Sequence, residues 1–183
     1  MTFSAWILKT GDGGFNVGRI IDFGNTDISF FTDADDELRF SAQWSSGTAF
    51  YQSINTIQKG EWYHVAVTYD ANAPGNLPKM YINGLESTVI VTSGAPNPAA
   101  TFNGITPDSE NCYIGNRHDA SSGFDGNLAD VAVWNKILSS EEIKAIYEAE
   151  HGFARRSSGI ISTPYRLELR NRDNATGSYP TVH

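Results

Sequence analysis

FDGNLADVAVWNKILSSEEIKAIY, residues 124–147, is the stretch whose reading decides the fold. Its first half alternates as a half-buried strand does, with Leu128, Asp130, Ala132 and Trp134 on one face and Ala129, Val131 and Val133 on the other. Its second half changes period. Ser139 stands where an N-cap belongs, and Glu142 three residues later completes a capping box. Ile143, Ile146 and Tyr147 recur at helical spacing, and Gly152 is a stop signal, so the spacing predicts one short helix over about 139–150.

Upstream of that helix the chain is a succession of strand signals broken by turn residues. Phe3–Leu8, Arg19–Phe23, Asp27–Phe31, Glu37–Ser41, Tyr51–Ile57, Trp62–Asp70, Lys79–Ile82, Glu86–Thr92 and Cys112–Gly115 read as strands. Asn83-Gly84 between two apolar alternations is the strongest hairpin signal available. Residues 93–110 form a long Pro, Gly, Ser and Asn loop, of a length usually reserved for function. Many short strands, one helix and no strand–helix–strand spacing predict an all-β fold, a jelly-roll sandwich of two antiparallel sheets.

Composition narrows the function classes. The 183 residues suit one domain with a real core. A formal charge of −8 lacks the basic footprint of a nucleic-acid binder, and no apolar run reaches the length of a membrane span. The start, MTFSAWILKTGDGG, has no basic n-region and does not read as a signal peptide. An extracellular or particle-surface placement is therefore expected by another export route, by excision from a larger precursor or by carriage on a particle. The single cysteine, Cys112, rules out an intrachain disulfide and reads as a buried, inert thiol. Residues 153–183 carry five arginines against Glu168 and Asp173, a net of +3, which leaves −11 on residues 1–152.

As a set and in order, Glu61-Trp62-Tyr63-His64-Val65-Ala66-Val67-Thr68-Tyr69-Asp70, Met80-Tyr81-Ile82-Asn83-Gly84, Tyr113-Ile114-Gly115-Asn116 and the 124–139 stretch resemble laminin G-like domains of the concanavalin A-like lectin/glucanase superfamily. The resemblance covers roughly residues 2–152. It implies a jelly roll that binds glycans or proteins, in some members with calcium held by loops at one edge, although the same fold hosts glycosidases and lyases. Two departures stand out. Members usually carry a further strand or two before the segment matching Phe3–Leu8, and the basic extension 153–183 lies beyond the usual end. Tyr165, Leu167 and Leu169 alternate with Arg166, Glu168 and Arg170, so an edge strand over 165–170 is expected, filling the open sheet edge in this chain or a neighbouring copy.

Candidate chemistry follows from residue types. A glycosidase needs two carboxyls about 5–5.5 Å or 6.5–9.5 Å apart. No strand offers acids at the required spacing, since Asp33, Asp35 and Asp36 fall in a turn and Glu141, Glu142, Glu148 and Glu150 on a helix. There is no Gly-x-Ser-x-Gly elbow and no histidine pair at metal spacing; His64 reads as a hydrogen-bonded strand residue. A catalytic set is therefore not expected. For calcium, which takes six to eight oxygens, the first candidate is Asn116, Asp119 and Asp125, with the alternative of a plain Asx-turn loop. The second is Asp33–Glu37, with the alternative of a solvated hairpin. For a glycan, Arg117, His118 and Asp119 form a polar edge, and Trp44 beside Ser45–Thr48 offers an aromatic face, with core packing as its alternative. Trp6, Trp62 and Trp134 read as core. The reading is a non-catalytic binding module for carbohydrate or a protein surface. A structural, adhesion or decoration domain of a viral particle or large surface protein is the alternative, and a polysaccharide hydrolase or lyase of the same fold the second. A homo-oligomer or larger assembly through the extension is the accompanying expectation.

Overall fold

The computed structural model describes residues 1–24, 28–72, 75–94, 101–102 and 111–156, with side chains up to residue 149. Among the described residues eleven strands form two antiparallel sheets. In chain order they are β1 (Thr2–Lys9), β2 (Val17–Phe23), β3 (Ile28–Asp33), β4 (Glu37–Trp44), β5 (Gly47–Thr56), β6 (Trp62–Thr68), β7 (Lys79–Ile82), β8 (Leu85–Ser87), β9 (Val89–Ser93), β10 (Cys112–Ile114) and β11 (Gly126–Trp134). The five-stranded sheet runs β11-β1-β6-β7-β8 and the six-stranded sheet β10-β2-β3-β4-β5-β9, so the expected two-sheet sandwich is present. The helix α1 (Ser140–Arg156) follows β11. It starts where the capping box sets it: Glu142 N–H donates to Ser139 Oγ and Ser139 N–H donates to Glu142 Oε2. It does not stop at Gly152 but continues to Arg156, because glycine weakens a helix without ending it. Residues 165–170, expected as an edge strand, lie outside the described residues.

Alternate residues of each strand face inward and meet between the sheets. Phe3, Ala5 and Ile7 of β1, Val65 and Val67 of β6, Ile28 and Phe30 of β3, Leu38, Phe40, Ala42 and Trp44 of β4, and Ala49 and Tyr51 of β5 build this core. The Phe40 ring lies 6.2 Å from both Phe3 and Tyr51 and 5.3 Å from Tyr69. Each such aromatic or branched side chain contributes about 1.5–3 kcal/mol by leaving water. Lys9 also points inward and is buried. Its ammonium pairs with Asp36 and donates to the Asp33 carbonyl, tying the end of β1 to the β3–β4 hairpin of the opposite sheet.

The alternation expected of β11 fails at one place. Ser4 pairs with Ala132 but Trp6 with Ala129, so β11 spends an extra residue there, and Asp130 adopts φ 48°. This bulge re-phases the strand. Leu128 packs inward against the main core while Trp134 lies on the outer face, so the two are not on one side as the sequence pattern suggests.

That outer face of the five-stranded sheet is where α1 sits. Leu138 and Ile143, the two positions flanking the N-cap, pack together with Ala66 and Tyr81 as a hydrophobic staple. The Asn83-Gly84 turn forms as expected, with φ 51° and 75°. A Cβ on Gly84 would stand 3.1 Å from the Tyr147 ring and 3.3 Å from the Lys144 Cα, so the turn is tucked under the helix. His64 is buried beneath the same helix, its ring 5.6 Å from Trp6 and 6.1 Å from Tyr147. Contrary to the expectation of a hydrogen-bonded strand histidine, neither ring nitrogen has a partner among the described residues. Burial holds its pKa down at about 4. Two further expectations fail on burial. Trp62 is 44% exposed, and Cys112 lies exposed on the edge strand β10, where the surrounding protein and the Asp22 charge push the thiol up.

Candidate functional site

The outer face of the six-stranded sheet differs in kind from the helix-covered face. Its register aligns side chains in rows across the strands. One row runs Ser93, Phe50, Ser41, Ser29, Asp22, Tyr113 from β9 to β10. The next runs Ile90, Gln52, Arg39, Phe31, Arg19 from β9 to β2. Ser29 and Ser41 share a hydrogen bond of 2.7 Å between their hydroxyls. Arg19 donates to Ser29 Oγ and lies 4.4 Å over the Phe31 ring, a cation–π contact. Arg39 is bonded through Nε to Asp33. Buried hydroxyls and carboxylates thus hold the guanidinium groups above them in fixed orientations.

The loop Gly115–Asp125 projects at the β2–β10 end of these rows. Gly115 N–H donates to the Ile20 carbonyl, Phe124 N–H to the Gly115 carbonyl, Arg19 N–H to the Ser122 carbonyl and Thr10 N–H to the Asp125 carbonyl. Both ends of the loop are therefore fastened to the sheets. Gly18 leaves room for this: a Cβ there would come within 3.1 Å of the Phe124 ring. The middle, Arg117–Ala120, closes as a turn with Ala120 N–H donating to the Arg117 carbonyl at 2.9 Å and Ala120 at φ 60°. The Arg117, His118 and Asp119 side chains retain 38%, 31% and 45% of their exposure, so the turn presents all three.

Asp22, which the sequence reading did not single out, organises this end. It is buried, and burial raises its pKa against the opposing charges of Arg19, His118 and Arg117. Its Oδ1 stands 3.8 Å from an Arg19 guanidinium nitrogen, and its Oδ2 accepts from the His118 backbone N–H at 3.4 Å and stands 3.8 Å from Nδ1 of the same residue. Arg117 and Asp119 approach to 3.7 Å. Asp119 is held below the usual carboxylate range by hydrogen bonds from Ser121. Tyr113, one register step away on β10, places its ring 6.4 Å from His118. A strand acid facing away from the core was the available signal for Asp22, but only pairing places it beside residues almost a hundred positions later.

The other expected site residues each have partners of their own. Trp44 is in the core, 2% exposed, against Phe102. Asp125 turns to Thr10 Oγ1 at 2.9 Å, Asp119 to Ser121, and the Asn116 side-chain oxygen accepts from the Arg117 N–H at 2.8 Å, so each of the three is engaged by a different partner. Asp33, Asp35 and Glu37 do lie together, with ligand atoms within 4.8 Å of one another. Asp33 accepts from the Asp35 and Glu37 N–H groups and pairs with Arg39, which accounts for the grouping as a stapled hairpin turn. Burial and the Asp33 charge raise the Glu37 carboxyl.

Residues 1–144 match the Laminin_G_3 family model, concanavalin A-like lectin/glucanases superfamily. The chain is 28% identical to human Pentraxin-related protein PTX3 over 96 residues, which are 51% of this chain and 25% of PTX3. Among solved structures it resembles the native heptameric SAP-like pentraxin from Limulus polyphemus, with a TM-score of 0.55, 19% identity and coverage of 80% of this chain and 68% of that one. It also resembles the Ruminococcus gnavus IT-sialidase CBM40 bound to alpha2,3 sialyllactose, with a TM-score of 0.58, 13% identity and coverage of 80% and 81%. The chain spans less than half the length of the curated relatives it matches.

Proposed function

From the premise that the chain belongs to the concanavalin A-like lectin/glucanase superfamily, we propose that it is a non-catalytic module binding carbohydrate through the Gly115–Asp125 loop. The observation that carries this reading is the turn Arg117–Ala120, fastened at its base and exposing a guanidinium, an imidazole and a carboxylate at the rim of the sandwich. These groups donate to and accept from sugar hydroxyls, and the nearby Tyr113 ring offers an aromatic surface. Spacing argues against Asp22 and Asp33 as a hydrolytic acid–base pair on the same face. Asp22 pairs with Ser29, and Asp33 lies four residues further along β3, about 13 Å away at ~3.3 Å per residue, beyond the reach of a glycosidase pair. The CBM40 likeness, in a structure bound to sialyllactose, supports a sugar ligand.

A glycan array read with and without calcium tests the proposal. Binding abolished by the double change Arg117→Ala and His118→Ala, with the melting temperature kept, is the expected result; an array with no positive glycan would end it. Calcium stays part of the proposal at the Asp33, Asp35 and Glu37 group, where chelation should lower the melting temperature.

A second reading rests on exposed apolar side chains along the outer strands: Ile114 on β10, Val133 on β11 and Leu85 on β8. They suit contacts with further copies or with a larger assembly at the outside of a cell or particle. Light scattering after size exclusion would show a multiple of the 20.0 kDa chain mass. Among the described residues no helix is long and apolar enough to cross a membrane.

A further inference from the structure

Three arginines occur in residues 1–152, and all three lie on the outer face of the six-stranded sheet or on the loop beside it. Each faces an aspartate: Arg19 faces Asp22, Arg39 faces Asp33 and Arg117 faces Asp119. The local charge is therefore balanced, and an anionic ligand would gain from each guanidinium about what it loses to the adjacent carboxylate. Three of the contacts here share a further property. Arg19–Asp22, His118–Asp22 and Arg117–Asp119 stand at 3.8, 3.8 and 3.7 Å, too long for a direct hydrogen bond. An oxygen placed between partners at that separation can sit about 2.8 Å from both, accepting from the nitrogen while donating to the carboxylate. A hydroxyl does both at once; a carboxylate or sulfate ligand has no proton to give.

We propose that the Arg117–Asp119 and His118–Asp22 pairs, continued onto the sheet by Arg19, form a subsite for neighbouring hydroxyls of an uncharged sugar. This rests on the carbohydrate reading above and names its ligand class. Asp22 has two parts in it: its carboxylate holds the His118 backbone, and it accepts from the hydroxyl seated between it and the His118 ring. Asp119 and Arg117 touch the sugar. Asn at position 119 keeps the turn's acceptor for Ser121 but loses the charge that accepts from a hydroxyl.

The test is an array carrying neutral glucose, galactose and mannose oligosaccharides beside their sialylated and uronate-bearing counterparts. Hits are followed by calorimetry on the wild type, Asp119→Asn, Arg117→Gln and Arg117→Lys, with melting curves for each. The expected result is binding to a neutral chain, weakened at least about tenfold by Asp119→Asn and by Arg117→Gln, since each removes a charge-assisted hydrogen bond. Arg117→Lys should recover part of the loss. Affinity should change less than about twofold between low and high salt, because no net charge is brought in. Binding confined to acidic glycans, with a steep salt dependence, overturns the ligand class while leaving the carbohydrate reading standing. Neutral binding untouched by Asp119→Asn and Arg117→Gln in folded protein overturns the subsite. No binding to any glycan overturns both.

Discussion

The two outer faces of this sandwich met the same physical problem and solved it differently. On the five-stranded sheet the outward residues include Trp6, His64, Ala66 and Tyr81, and they are covered by Leu138 ahead of α1 and by Ile143 and Tyr147 within it. On the six-stranded sheet the outward residues include Asp22, Ser29, Ser41, Arg19 and Arg39, held laterally by the Arg19–Ser29 and Ser29–Ser41 hydrogen bonds and the Arg39–Asp33 pair. The first face spends its side chains on stability. The second keeps polar groups ordered beneath partly exposed ones, the arrangement a binding surface requires. If this contrast is right, substitutions on the first face should move stability and leave binding alone, and those on the second should do the reverse.

The largest effect is expected from Ile143→Ala. It empties a fully buried position between helix and sheet and should cost about 2–5 kcal/mol in urea unfolding. A loss below about 1 kcal/mol would mean that the helix is an ornament and the contrast is false.

A pH titration sharpens the contrast further. His64 has a folded pKa of about 4 against an ordinary 6.5, so the fold favours the neutral ring. Its contribution is complete above about pH 6.5 and is lost as pH falls towards 4. Protonation then costs up to about 3 kcal/mol. The difference in stability between wild type and His64→Phe should therefore change across that window and be flat above it. A pH-independent difference would show the ring to be solvated.

Ser139→Ala removes one half of the reciprocal cap and should cost about 1 kcal/mol, read as a lower melting temperature with unchanged glycan binding. Asp22→Asn, on the other face, should cost much less stability than Ile143→Ala, because burial already disfavours the charged carboxylate and an amide oxygen can still accept from the His118 N–H. It should nevertheless weaken any ligand held by His118. Equal losses of stability from Asp22→Asn and Ile143→Ala would erase the distinction between the two faces.

The helix shows how far local signals reach. Its cap and the Asn83-Gly84 turn beneath it were legible because each depends on residues within five positions of one another. Its far end was not, since Gly152 only biases a helix to stop. On β11 the pattern misled, because a bulge leaves the composition of a strand unchanged while reversing which face its residues occupy. For the site, Arg117, His118 and Asp119 could be picked out as polar residues in a glycine-bounded loop. Trp44 could not be placed, because an indole beside a polar loop reads the same whether it turns in or out.

By itself the sequence determined the class of fold: period-two alternation with turn residues between strands admits few alternatives to stacked antiparallel sheets, and one capped amphipathic segment fixes a single helix. Only the tertiary structure decided which polar residues meet. Asp22 and His118 are 96 positions apart and come together through the pairing of β10 with β2, a register set by the packing of both sheets and carried by neither segment alone.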